Sequence, residues 1–164
     1  MLNNLELNEN ILPEVKILMS DIHNRGVFAQ EKIKEDRKII EYKGEKILGA
    51  EGDRRSEVDD ELSYIFTLND TYDIDGSVNG NDARLINHSC SPNAYIDIID
   101  DHIWVIADKD IAKGEELTYD YSFEADKIEK CTCGSKNCKC YINDPDDETT
   151  KELLKNNNIT NNKS

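Results

Sequence analysis

A mainly β fold is predicted for this chain by two observations: its apolar runs are too short for helices, and Gly, Asn and Asp turns separate them. A third sets the scale. With 164 residues the chain has room for one globular domain with a real core plus short appendages. The runs read VKIL at 15–18, KIIEYKG at 38–44, YIFTL at 64–68, YIDII at 95–99, HIWVIA at 102–107 and ELTYDY at 116–121.

Taken in order, residues 1–13 are rich in Asn and Glu and are expected to be a flexible N-terminal segment. The stretch 47–62, rich in Glu, Asp and Arg and without strand alternation, reads as a short helix or a surface insertion. A polar turn with proline, NHSCSPN, lies at 87–93 and a crowded cysteine run, CTCGSKNCKC, at 131–140. Beyond Pro145, DDETTKELLKNNN offers Leu153 and Leu154 as its apolar anchors, which suits either a short amphipathic helix or tail. Residues 144–164 are taken as a polar C-terminal tail ending in NNNITNNKS.

Acidic residues outnumber basic ones 35 to 20, for a formal charge of −15. Phosphate-backbone binding is built from Lys and Arg, so no direct nucleic-acid binding is expected. A basic peptide or protein partner suits the charge, which also serves solubility. No run approaches the roughly 20 apolar residues of a membrane helix, and the polar start lacks the order of a secretory signal, so an intracellular location is expected. Four of the 5 cysteines crowd into ten positions, a pattern that in a reducing compartment reads as metal ligation before disulfides. Cys131, Cys133 and Cys138 are close enough in sequence to give three ligands of a tetrahedral zinc site, and a fourth must come from elsewhere.

The string Asn87-His88-Ser89-Cys90-Ser91-Pro92-Asn93 reads alone as a polar turn. A Cys-His hydrolase is a poor fit, because neighbouring positions rarely make a nucleophile–base pair and no oxyanion element stands out. Its surroundings give it another meaning. Asn24-Arg25-Gly26-Val27-Phe28-Ala29, Ile40-Glu41-Tyr42-Lys43-Gly44-Glu45 and Gly80-Asn81-Asp82-Ala83-Arg84 precede it; Gly114-Glu115-Glu116-Leu117-Thr118-Tyr119-Asp120-Tyr121 and the cysteine run follow. In that order these elements resemble the SET-domain family of protein-lysine methyltransferases with its cysteine-rich post-SET extension. The resemblance covers about residues 15–142 and implies a β-clip of several small sheets with a knot-like C-terminal threading. The corresponding division is a SET domain at 14–124 and a post-SET segment at 125–143.

The resemblance implies S-adenosyl-L-methionine as cofactor and a structural Zn2+. Asn24, Arg25 and Gly26 match the turn that approaches the methionine part of the cofactor; glycine often stands where this chain has Asn24, a residue that tolerates left-handed backbone. Asn87 and His88 would hold the cofactor's amino-acid and adenine parts, Tyr64 would lie beside it, and Tyr141 would pack on the adenine. Tyr42 matches a tyrosine lining the lysine channel, Tyr121 the catalytic tyrosine, and Tyr119 the position that sets how many methyl groups fit. In an extended segment Tyr119 and Tyr121 share a face and so one cavity. For the fourth zinc ligand the resemblance nominates Cys90, which would tie the post-SET segment onto the NHSC loop; Cys140, where the family often has glycine, offers a purely local alternative.

The expected activity is lysine N-methylation of a basic protein, a histone tail first, with mono- to dimethyl-lysine as the main product and a nuclear or chromatin setting if the substrate is histone. A non-histone substrate and an inactive SET-like peptide-binding module are the competing expectations.

Overall fold

The computed structural model describes residues 11–58, 64–122 and 127–156. The expectations placed on residues 1–10, on the last part of the 47–62 stretch, on the 124/125 boundary and on the final eight residues lie outside that set.

The described residues form two two-stranded and two three-stranded sheets, so the mainly β expectation holds. Strand β1 (Val15–Met19) pairs antiparallel with β2 (Arg25–Ala29). The central sheet places β9 (His102–Ala107) between β3 (Lys38–Tyr42) and β8 (Ala94–Ile99), both antiparallel to it. These strands carry the longest β-branched runs, and Ile39, Ile103 and Val105 are essentially inaccessible. Helix α1 (Gly49–Val58) follows strand β4 (Glu45–Leu48), and β4 flanks β6 (Tyr72–Asp75) on the side opposite β5 (Ile65–Thr67). The 47–62 stretch therefore opens on strand residues and holds the helix; Gly49 N–H bonds to the Thr71 carbonyl at the join.

Strand β6 carries two aspartates that point inward. Asp75 is buried and meets Arg55 of α1 at 2.6 Å, while the same guanidinium reaches Glu45 at 2.7 Å and Glu51 at 2.8 Å. Burial pushes the Asp75 carboxyl up, but bonds from Ser77 and Arg55 prevail and hold it below the ordinary carboxylate value. A carboxylate depressed in the folded state contributes stability above its unfolded value of about 4 and loses it as pH falls through the folded one. Docking of α1 should therefore weaken below roughly pH 4. Arg55→Met should reproduce that loss at neutral pH, at about 1–3 kcal/mol for a buried acceptor left short of a partner. Thermal melts of the two proteins across pH check both; a melting difference that persists unchanged at low pH would contradict the assignment.

Two short strands complete the fold: β7 (Asn87–His88) and β10 (Thr118–Tyr119), far apart in sequence yet paired in parallel. The segment 115–119 has partners on both sides. On one side Ala29 N–H bonds to the Glu115 carbonyl and Leu117 N–H to the Val27 carbonyl. On the other, Ser89 N–H bonds to the Tyr119 carbonyl, Thr118 N–H to Asn93 Oδ1, and Asn93 Nδ2 to the Glu116 carbonyl. Asn93 is buried and acts as a short rung where no strand continues. A late segment is thus laid between two early ones, bringing 116–121 against 23–29 and 86–90.

The cysteine-rich segment folds on itself. Cys131 N–H bonds to the Cys140 carbonyl, Ile142 N–H to the Glu129 carbonyl, and buried Asn143 ties Glu129 N–H to the Lys127 carbonyl. Past it, Asp147 caps the N-terminus of helix α2 (Glu148–Asn156) by accepting from Thr150 N–H at 2.7 Å. Within the stretch read as either helix or tail, Glu148–Asn156 is helical, with Thr150 buried and Leu153 and Leu154 half-buried.

Candidate active site and metal centre

Four aromatic residues meet behind β7 and β10. Tyr42 and Phe66 rings lie 5.3 Å apart, Phe66 and Tyr119 6.3 Å, and Tyr119 and Tyr121 4.8 Å, all tilted. Tyr119 and Tyr121 share one face, as their spacing of two implies, although the strand itself covers only Thr118–Tyr119. Two of the hydroxyls are held by main-chain acceptors: Tyr42 donates to the Tyr64 carbonyl and Tyr121 to the Ile86 carbonyl, each at 2.7 Å. Burial, reinforced by the neighbouring phenols, pushes Tyr42 and Tyr119 well above the ordinary phenol value. Burial does the same to Tyr121, with Tyr64 and Glu116 adding to it. All three are neutral phenols at physiological pH and none is a base.

Tyr64 joins this group through its main chain, its carbonyl accepting from Gly76 N–H as well as from the Tyr42 hydroxyl, and the Arg84 guanidinium lies 5.6 Å from its ring. Gly76 lies so close to the Tyr42 hydroxyl that a Cβ there would come within 2.6 Å of it, which is why no side chain stands at that position.

Beside the phenols, the turn that precedes β2 is pinned from beneath. Asn24 adopts left-handed backbone with φ of 41°, the conformation for which Asn is suited. Four oxygens surround the Asn87 side-chain nitrogen: Glu116 Oε1 at 2.8 Å, the Arg25 carbonyl at 3.0 Å, Ser20 Oγ at 3.2 Å and the His23 carbonyl at 3.3 Å. Carbonyl and carboxylate oxygens can only accept, so the NH2 end of the amide faces them, its two hydrogens shared among the four, and Oδ1 is turned away, placed to accept from a donor such as an ammonium group. The Glu116 carboxylate in turn accepts from Ser20 Oγ at 2.8 Å and packs against Gly26, where a Cβ would collide with it. Asn24, Arg25, Gly26 and Asn87 therefore form one unit, with the carboxylate of Glu116 as its hub.

His88 is buried and neutral: burial lowers its pKa and Lys139 adds to that, against the opposing pull of Asp120. Its Nδ1 accepts from Tyr121 N–H at 3.1 Å and its Nε2 lies 3.3 Å from Cys90 Sγ.

The metal-ligating chemistry lies next to it. The thiol sulfurs of Cys90, Cys131, Cys133 and Cys138 all fall within 4.8 Å of one another, with Cys90 3.7 Å from Cys131 and 4.0 Å from Cys138. A zinc tetrathiolate with bonds of about 2.3 Å has an S···S edge of roughly 3.8 Å. Backbone N–H groups face these sulfurs: Cys90 N–H toward Cys133, Lys139 N–H toward Cys90 and Cys140 N–H toward Cys138. Burial pushes Cys133 up, but Cys90 N–H and Ser135 prevail and bring it down to about 6, whereas burial raises Cys131. Four thiols at these separations, ringed by donors, suit a divalent cation that takes the place of their protons. Cys140 is exposed, with φ of 68°, and is not part of the group. Tyr141 is buried, bridged to Lys130, with the Lys139 ammonium 6.0 Å from its ring.

The structure brings Tyr42, Tyr119 and Tyr121 together in the aromatic cluster, Asn24, Arg25, Gly26 and Asn87 in the turn beside it, and Cys90, Cys131, Cys133 and Cys138 in the thiol cluster, with His88 between; Cys140 stands apart. Sequence reasoning passed over three that belong with them. Phe66 closes the aromatic wall, Glu116 and Ser20 hold Asn87; the signal for Phe66 was its spacing of two from Tyr64 in an alternating run.

A family model described as SET domain matches residues 24–122. The chain is 40% identical over 146 residues to the histone-lysine N-methyltransferase trithorax of Drosophila virilis, covering 84% of this chain and 4% of that protein. It is 43% identical over 136 residues to the histone-lysine N-methyltransferase, H3 lysine-4 specific, of Schizosaccharomyces pombe, covering 76% of this chain and 14% of that one. To histone-lysine N-methyltransferase 2B of Homo sapiens it is 37% identical over 139 residues, 79% of this chain and 5% of the other. The chain thus spans a small part of the length of these curated relatives. No described helix is long and apolar enough to cross a membrane.

Proposed function

The chain belongs to the SET-domain family, and from that premise we propose that it is a protein-lysine N-methyltransferase acting on a histone tail. The observation that carries this reading is the aromatic cluster of Tyr42, Phe66, Tyr119 and Tyr121 beside the Asn87-pinned turn at 24–26. Relatives named for histone H3 lysine-4 make the H3 tail, and lysine-4 within it, the first substrate to try. The acidic balance of −15 suits such a basic peptide.

S-adenosylmethionine, when bound, supplies the methyl group, carried on a sulfonium. Asn24, Arg25 and Gly26 would present backbone to its amino-acid part, with Asn87 Oδ1 as an acceptor and His88 and Tyr141 on the adenine side. Tyr64 would lie beside it. The four aromatic rings exclude water and disfavour the ammonium form of the substrate lysine, whose free pKa of about 10.4 would otherwise keep it protonated. Tyr42 and Tyr119 flank the amine; Tyr121, a neutral phenol, positions and stabilises charge. The Ile86 carbonyl and the Tyr121 oxygen, 2.7 Å apart, are acceptors suited to weak C–H···O contacts. Cys90, Cys131, Cys133 and Cys138 would hold one zinc, whose chemistry here is to fix the cysteine-rich segment. An inactive peptide-binding module has no need of this convergence of phenols on an oriented amide. A non-histone substrate would leave the geometry unchanged and is separated by the peptide used.

The test is methyl transfer to a panel of histone tail peptides followed by intact-mass spectrometry. Monomethyl-lysine is expected as the main product, with some dimethyl at long times. The buried Tyr119 hydroxyl holds space that further methyl groups need, by keeping a water or the amine itself hydrogen-bonded. Tyr119→Phe should shift the distribution to di- and trimethyl with the first transfer slowed less than about tenfold, because Tyr121 remains. Abundant trimethyl-lysine from the unaltered protein would refute the product assignment, and no transfer to any tail would refute the histone reading.

A further inference from the structure

We propose that the His88 side chain is a positioning residue that joins the thiol cluster to the main chain of Tyr121. It rests on the reading of Cys90 as a zinc ligand and Tyr121 as catalytic, and it gives the imidazole a role apart from cofactor contact.

A backbone N–H can only donate, so the 3.1 Å contact from Tyr121 N–H makes His88 Nδ1 an acceptor. In a neutral ring the proton then sits on Nε2, and that N–H points at Cys90 Sγ, 3.3 Å away. The tautomer is fixed by the tyrosine end and read out at the sulfur end. Burial removes water from both bonds, and the ring packs edge-on against the Tyr121 ring with centroids 5.4 Å apart. Asp120 does not compete for Nδ1: its nearer oxygen is 3.5 Å off, and its carboxylate is held by Lys139 Nζ at 3.1 Å. Lys139 N–H also donates to Cys90 Sγ, so two donors converge on this one sulfur from opposite segments. A hydrogen bond to a metal-bound thiolate both orients it and tempers its charge, and such outer partners are worth about 10–100-fold in metal affinity or activity. One five-membered ring thus fixes the height of Tyr121 relative to the cluster.

The two ends separate by substitution. In His88→Asn the amide oxygen takes the place of Nδ1 and still accepts from Tyr121 N–H, but nothing reaches the sulfur. In His88→Gln the amide nitrogen takes the place of Nε2 and still donates to Cys90, but the acceptor for Tyr121 N–H is gone. Zinc-loaded full chains would be compared in three measurements: zinc transfer to a chromogenic chelator, amide exchange at Tyr121, and kcat with KM for cofactor and H3 tail peptide. Zinc should transfer about 10–100-fold faster from His88→Asn than from His88→Gln. Tyr121 amide exchange should be about tenfold faster in His88→Gln than in His88→Asn, with kcat the lower in His88→Gln. This crossed ranking is the expected result. The same ranking in all three measurements would mean general destabilisation and overturn the proposal, as would equal kcat and exchange with only the cofactor KM raised. Metal transfer and amide exchange need no turnover, so they decide the bridge even if the catalytic reading fails.

Discussion

Replacing Tyr121 by phenylalanine is expected to lower kcat about 10²–10³-fold, the cost of removing one preorganised polar group from a water-excluded site. The ring keeps its packing against Tyr119 and His88, so the loss is confined to the hydroxyl and its bond to the Ile86 carbonyl. Stability should fall by only about 1 kcal/mol, and the KM for cofactor should move less than about threefold. Initial rates by intact-peptide mass spectrometry, with a melting curve on the same sample, check the prediction. Because burial holds the phenol above its ordinary value, the hydroxyl stays protonated as pH rises through 10, and the rate should show no step there belonging to this group. Unchanged turnover in the variant would remove Tyr121 from the catalytic role.

The second large effect belongs to Cys90→Ser. Its thiol is the one member of the cluster that lies outside the cysteine-rich segment, so it joins that segment to the turn carrying Asn87 and His88. Loss of an outer partner alone costs about 10–100-fold in metal affinity; loss of a thiolate should exceed that. Zinc content should fall from one per chain toward none under mild chelation, and activity should fall with it. Amide protection at 127–143 should drop while the β3–β9–β8 sheet keeps its own. Cys140→Ser should leave zinc content unchanged, since that thiol is exposed and apart from the cluster. Metal retained in the first variant and lost in the second would move the site to a purely local cysteine set.

The strands most legible in the sequence were those whose side chains are apolar for structural reasons alone. VKIL, KIIEY, YIDII and HIWVIA became β1, β3, β8 and β9, because β-branched runs have few other uses at that length. Strand β6, with the sequence YDID, was not legible. Its aspartates look like surface charge until Arg55 arrives from α1 to meet Asp75, and local hydropathy carries no trace of a partner two elements away. Strand β7 is two residues long and exists because β10 lies beside it, which no window over 87–88 could report. At the site, the tyrosines and cysteines were legible because their chemistry is rare and their order matched a known pattern. Glu116 was not, being one acidic residue among 35, distinguished only by the Ser20 and Asn87 donors that fold against it.

The placement of residues 115–119 between β2 and the 87–93 turn has a consequence for how the protein comes into being. Every strand that flanks this segment precedes it in the chain, so during synthesis β2 and Asn93 leave the ribosome with their inner hydrogen-bonding groups unmet. The fold cannot close until Tyr119 has emerged and been laid between them. Long-range pairings of this kind are slow, because loop closure precedes any contact that rewards it. Insertion of this segment is also what brings Tyr119 and Tyr121 to Tyr42 and Phe66. Nascent or truncated chains ending before residue 115 should therefore behave as chaperone clients with open strand edges, and no partly folded form should carry residual turnover.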